Sequence, residues 1–325
     1  MWQFVFICSI FYSYKVLGVH IEYKQVYAEF GENLGEKVPR RVQSLLKKSN
    51  ITVVICNELD EDLIQSKTDT LFLSLGNTRL VERYINIDKI EYEGYQIKSS
   101  LNIFTSTNTL IVANGKPMKH DDAYDVSFDI DRIHYGAIVG TYAVLELLGF
   151  SFLHPMDPIL STNNYLVYKG NMHDNSDEID IIEAPYWPIR TWHVHTQHPL
   201  EFTEVLNGYD IPMFMTTSSN STVHKDNQNL CLPHEYCESW DSMFETLDGL
   251  FEWLVANKQN RVEVLLLGSP KWDAYNNLTT GAVRQQRLTA INRLCHEFGL
   301  IIGKYTCYFT IAYMCAAVLN HFSSM

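Results

Sequence analysis

Basic charge is scarce in this chain. Lys and Arg number 25 against 38 Asp and Glu, giving a formal net charge of -13 and a pI near 5.3. A nucleic-acid binder presents a basic face, so that class is set aside. Charged residues make up only 19% and hydrophobic ones 46%, a balance that excludes a disordered chain and leaves a globular one with a sizeable core. Neither a Gly-x-Ser-x-Gly elbow nor a Gly-x-x-x-x-Gly-Lys phosphate loop is present, which removes the commonest serine-hydrolase and nucleotide signatures. No second cysteine pair with finger-like spacing follows Cys231 and Cys237. That pair therefore fits a local disulfide in an oxidising compartment better than a zinc site. The carboxylates between His120 and Asp131 lack the glycine and spacing of a calcium loop, and are read as solvated.

What is present begins with MWQFVFICSIFYSYKVLG, an apolar run of signal-peptide length without a basic start, so residues 1–18 are expected to be a signal peptide. A buried N-terminal strand is the other reading. Sequons at Asn50, Asn220 and Asn277 agree with secretion and glycosylation. From Tyr305 the chain turns into Tyr/Cys/Met-rich apolar residues that fall short of the about 20 a membrane span needs. Residues 304–325 are read as a divergent tail, either of a truncated product or as a marginal membrane anchor.

Between these ends the pattern alternates strands and helices. Lys37–Lys48 (KVPRRVQSLLKK) predicts an amphipathic helix with a basic last turn. Residues 51–56 and 70–75 predict buried strands, with a short helix between them. Residues 93–98 and 109–113 predict neighbouring strands, the second closed by the turn signal Asn114-Gly115. Tyr135–Leu148 predicts a helix ended by Gly149, with Gly136 and Gly140 on a closely packed face, before a short strand at 150–153. After the proline-containing connector at 183–188, strands at 189–196, 262–267 and 299–303 alternate with helices at 244–257 and 284–298. Such crossovers demand parallel strands and match the opening of a (β/α)8 barrel. The expected fold class is α/β: a mixed-sheet domain over 19–183, then an incomplete barrel of about three parallel strands with helices over 184–303.

The ordered set EGYQI at 93–97, TLIVANG at 109–115, YGAIVGTYAVLELLGF at 135–150 and FLHP at 152–155 resembles the small α/β domain that precedes the catalytic barrel in β-hexosaminidases and α-glucuronidases. The likeness covers roughly residues 70–160. It implies that PIRTWHVHTQHP, at 188–199, opens a glycosidase-like barrel. It also implies that Arg190 matches an arginine that hydrogen-bonds sugar hydroxyls in hexosaminidases. Where those enzymes carry an aspartate, this sequence has His195.

The three histidines of TWHVHTQHP can be read in three ways. His193 and His195 share one face of a strand, and with His198 and Arg190 they are candidates for a sugar-binding rim. Packed structural histidines are the second reading. An amidohydrolase-like metal site at His-x-His is the third, although it needs ligands on later strands. Catalysis is a separate matter, because glycoside hydrolysis uses two carboxyl groups about 5–9.5 Å apart. The resemblance puts the acid of hexosaminidases after the fourth barrel strand, which this chain does not reach. Asp60-Glu61 lies in the first domain, and Glu235 and Glu238 flank Cys237 in a loop. The chain is therefore expected to be glycosidase-like, without catalytic carboxylates or a cofactor, with a glycan of amino sugars or uronic acids as partner. A secreted, non-catalytic carbohydrate-binding or interaction module is the alternative.

Overall fold

A computed structural model describes residues 20–23, 25–101, 108–118, 133–154, 158–159, 166–169, 179–195, 240–265 and 289–302. His198, Asn220, Cys231, Cys237 and Asn277 lie outside these residues, as do the expected signal peptide and tail.

Two sheets carry the architecture. The larger has six strands in the order β3(Thr52–Ile55), β2(Gln25–Phe30), β4(Leu71–Leu75), β6(Thr109–Gly115), β5(Tyr95–Leu101), β8(Ile179–Glu183). The first four are mutually parallel, and β5 runs antiparallel to both of its neighbours. A small antiparallel pair joins β1(His20–Tyr23) to β7(Leu166–Lys169). The second sheet is parallel, in the order β11(Ile301–Ile302), β10(Arg261–Leu265), β9(Thr191–His195). The fold is thus mixed α/β, and the three strands expected to be parallel neighbours are so.

Strand periodicity divides the core into two layers. Leu71, Leu73 and Leu75 of β4 face one way with Ile111 and Ala113 of β6, whereas Phe72, Leu110 and Val112 face the other. This is the period-2 alternation of a sheet covered on both faces. One face receives α1(Lys37–Lys48), through Val38, Val42, Leu45 and Leu46, and α4(Tyr135–Leu147). The other receives α2(Glu61–Ser66) and α3(Arg79–Tyr84), capped by the side chains of Asp60 and Thr78.

Every residue of α4 from Tyr135 to Tyr142 is buried, as expected of a helix that is apolar all round. Its inner side lies on β5 and β6 through the expected glycines. A Cβ on Gly136 would overlap the carbonyl oxygen of Gly94 and sit 2.7 Å from that of Lys116. Its outer side meets α5(Trp240–Ala256) and the helix at 289–297. Leu247, Phe251, Leu254, Ile291 and Phe298 belong to the same core cluster as α4.

Two local expectations need correcting. Asn114-Gly115 is no turn: both residues stay in β6, paired with Gln96 and Tyr95. Gly115 is small because the backbone of Gly136 lies where its Cβ would be, 2.6 Å from Ala137 N. The strand expected at 150–153 reduces to one bridge, Ser151 to Ile159.

Candidate functional site

β9 is where the sequence placed a sugar rim, and its surroundings are built from both parts of the chain. The backbone register sets His193 opposite Glu263 and His195 opposite Leu265. His195 is the last described residue of β9, at its carboxyl edge.

Arg190 was expected at that edge with the histidines. It lies instead just before Thr191, at the opposite, amino-terminal end of β9. Its guanidinium is already occupied: Nη2 donates to Glu93 Oε2 at 2.8 Å, Nη1 to the Trp187 carbonyl and Nε to the Lys258 carbonyl. The group also lies 5.7 Å from the centre of the Tyr135 ring. Only 14% of the side chain is exposed. A planar fork with fixed donors suits such a role, and here it joins three segments of the protein.

The residues that receive Arg190 were not singled out from sequence. Glu93 is the third residue of a turn closed by Gly94 N to Glu91 O, and it has φ 62. Positive φ is uncommon for a non-glycine residue and costs free energy. Its buried carboxylate offsets that cost: it accepts from Arg190 and from Asn260 Nδ2 at 2.9 Å. Asn260 completes the knot, donating to the Pro188 carbonyl and accepting from Arg190 N. Lys258, with φ 61, is the left-handed residue of a Schellman ending to α5, in which Gln259 N bonds Leu254 O and Lys258 N bonds Val255 O. Tyr135 Oη donates to the Gln259 carbonyl, binding that ending to α4.

A second polar group flanks the knot. Glu183 Oε2 accepts from Tyr95 Oη and from Lys258 Nζ, each at 2.5 Å. Burial acts to raise the Glu183 pKa, but the hydrogen bonds from Lys258 and Tyr95, with the lysine charge, outweigh it and leave the carboxyl below its ordinary value. Nearby Glu146 is shifted the other way, chiefly by burial.

Further along α5, Glu252 is 2% exposed and accepts from Arg41 Nε at 3.1 Å and Tyr142 Oη at 3.1 Å, with a second Arg41 nitrogen on its other oxygen. Lys37 pairs with Asp248 one turn earlier. The parallel sheet and its helices are thus fastened to the first sheet's helical face by charge pairs on both sides of an apolar core.

Other candidates have ordinary roles. Asp60 caps α2, while Glu61 pairs with Arg83 on the surface. Asn50 is exposed just after α1, with φ 56. Among the described residues, no group of three or more His, Cys, Asp or Glu is placed to hold a metal ion. No helix among them is long and apolar enough to cross a membrane.

No family model matches the chain, and no curated protein matches it. Among solved structures, one titled "Structure of CpGH84D" is similar at 11% identity and a TM-score of 0.32. The match covers 82% of this chain and 39% of that one, so the chain spans about two fifths of that structure's length.

The bonding of Arg190 has a measurable consequence. Arg190→Ala should lower unfolding stability by about 1–3 kcal/mol, because the buried Glu93 loses its charged donor. Denaturant unfolding of the variant measures this. Unchanged stability together with lost saccharide binding would return Arg190 to the ligand.

Proposed function

We propose that this chain is a glycosidase-like, carbohydrate-binding protein that binds a saccharide without hydrolysing it. The observation that supports this reading is the parallel β9–β10–β11 sheet, docked by its helices on the buried helix α4. That arrangement follows the order implied by the EGY strand, the glycine-containing helix and the Arg190 strand. In this reading the sugar meets the carboxyl edge of β9, where His195 and His193 stand, while Arg190 holds the opposite end of the strand. Secretion, glycosylation at Asn50, Asn220 and Asn277, and a Cys231–Cys237 disulfide belong to the same proposal.

Absence of turnover rests on chemistry. Protonating a leaving oxygen while stabilising an oxocarbenium-like transition state takes an acid and an opposed group across one bond. Glu183 and Glu146 have environments that push their protonation apart, yet Glu183 is bonded to Tyr95 and Lys258. A sugar bound equally well in its ground and transition states gains no rate.

The test pairs two assays on the purified chain: retention on immobilised amino-sugar and uronic-acid glycans, and release of aryl groups from N-acetylhexosaminides and glucuronides. Retention without release is expected. Turnover that survives repurification and vanishes on mutating Glu183 or Glu146 would overturn the non-catalytic reading, and failure to retain any glycan would overturn carbohydrate binding.

A further inference from the structure

The order β3-β2-β4-β6 has a reversal in it. The chain leaves β2 to place β3 on one side, then returns to place β4 on the other. Open parallel sheets tend to bind ligands outside the carboxyl ends of strands at such a reversal. Here the crevice between β2 and β4 is filled by protein. Gly31 N donates to Leu75 O at 2.7 Å, a Cβ on Gly31 would sit 2.7 Å from the Asn77 carbonyl carbon, and Asn77 N donates to Asn33 Oδ1 at 2.5 Å. The open space lies one strand over, beyond the ends of β4 and β6. This cavity of about 430 Å³ is lined by residues that include Asn77, Arg83, Tyr84, Ile85, Asn86 and Asn114, and its size is in the range of small-molecule sites.

Hydrogen bonding fixes which groups the cavity offers. Asn77 N is a backbone donor, so the Asn33 oxygen must face it and the Asn33 Nδ2 must face away. That Nδ2 donates to Asn114 Oδ1 at 3.1 Å, and Gly115 N donates to the same oxygen at 2.9 Å. The Asn114 amide is therefore held with its oxygen inward. Among the described residues its Nδ2 meets no acceptor, although the residue is only 4% exposed. Asn86 is oriented by the same logic: its Oδ1 accepts from Asp88 N at 3.1 Å, leaving its Nδ2 as a donor. Asn114 Nδ2 is not among the fully buried atoms that lack a partner, so it reaches the space of the cavity, where a ligand oxygen can take the place of water on both amide donors.

The surroundings narrow the class of ligand. Several backbone donors near the cleft are already used, by Gly31 on Leu75 O, Gly76 on Ala113 O, Asn77 on Asn33 and Val81 on Thr78. Glu82 and Arg83 cancel in charge, and Arg83 is paired with Glu61. A peptide could not add as a strand, because β4 and β6 are paired on both sides. What remains are amide donors beside the apolar Ile85 and Ile87 and a partly exposed Tyr84 ring. A sugar ring matches this mixture, with hydroxyl oxygens at its fringe and C–H groups on its face.

We infer that the cleft beyond the carboxyl ends of β4 and β6 binds a neutral saccharide, with Asn114 and Asn86 as donors and Tyr84 as the stacking surface. This site is separate from β9, and it shares only the carbohydrate class with the function proposed above.

The full chain, labelled with ¹⁵N, is titrated with N,N′-diacetylchitobiose and with cellobiose, and separately with glucuronate and inorganic phosphate. At least one neutral disaccharide should shift the side-chain amides of Asn114 and Asn86 saturably, and the two anions should not. Asn114→Asp keeps the inward oxygen but removes the donor, and should weaken binding at least tenfold. Asn86→Ala and Tyr84→Ala, both at exposed positions, should also weaken it and keep the test valid if the buried variant does not fold. Binding that is equal in all three variants would overturn this cleft and leave carbohydrate binding at β9 intact. Binding of phosphate here would overturn the neutral-ligand assignment. Absence of any response at these amides would overturn the cleft, while retention on the immobilised glycans decides binding at β9 separately.

Discussion

Arg41→Met should destabilise the protein by about 3–5 kcal/mol, the cost of breaking a buried ion pair from one side. The asymmetry of the pair dictates the choice of variant. The Arg41 side chain is 24% exposed and can turn to water, whereas that of Glu252 is 3% exposed and cannot. Removing the arginine strands the carboxylate against Tyr142 alone, inside the cluster of Phe251, Leu254 and Val255. Tyr142 cannot neutralise it. Burial first, and then the adjacent Glu252, raise the phenol pKa well above its ordinary value, so it stays a neutral donor. Adding Glu252→Met to Arg41→Met should recover most of the loss, since a matched apolar pair removes the stranded charge. Urea unfolding of the single and double variants measures both. A single-variant cost below about 1 kcal/mol would place Glu252 in contact with water.

Gly136→Ala should cost about 3 kcal/mol, at the upper end of what overpacking a core exacts. The added methyl would meet backbone on two sides, the carbonyls of Gly94 and Lys116, and no rotamer change moves a backbone. Helix α4 would have to lift from β5 and β6, loosening Tyr135 and its bond to the Gln259 carbonyl. Gly140→Ala is the internal comparison. There the methyl would meet Tyr95 Cβ at 3.1 Å, a contact relieved by a shift of a few tenths of an ångström, whereas at Gly136 it would overlap a carbonyl oxygen outright. Alanine also gains about 1 kcal/mol over glycine in a helix, so this variant should be close to neutral. Equal effects at the two positions, read by thermal melting, would contradict the packing described for α4.

What could be read from the sequence follows the range of the forces involved. Lys37–Lys48 was legible to the residue because its apolar spacing and basic last turn are local. The parallel β9–β10–β11 set was legible because strand and helix alternate at fixed lengths. β2 went unnoticed, and Glu29 explains why: a carboxylate at the fifth of the six positions of QVYAEF breaks the apolar run of a central strand. In the structure it is buried and accepts from Leu59 N and Ser74 Oγ, partners 30 and 45 residues away. Asn114-Gly115 misled for a related reason. The glycine answers the approach of Gly136 from a helix later in the chain, and no short-range pattern carries that information.

Arg190 gives the same lesson at the site. Its type and its place ahead of a strand fit a sugar ligand, but the carboxylate that holds it comes from Glu93, 97 residues earlier. By turn geometry a glycine would suit position 93, and only the folded contact shows why a glutamate stands there. The cleft beyond β4 and β6 was invisible in sequence too, because its donors are selected by a relay from Asn77 through Asn33 to Asn114.

The glycosidase-like reading stands on the claim that β9, β10 and α5 belong to one cooperative body with the first sheet and α4. Native-state hydrogen exchange over a denaturant series measures this directly, because segments that open together share one opening free energy. The amides of α4, α5, β9 and β10 should converge on a common, denaturant-dependent opening. Exchange of α5, β9 and β10 through a low, denaturant-independent opening, while α4 and β6 stay protected, would contradict it.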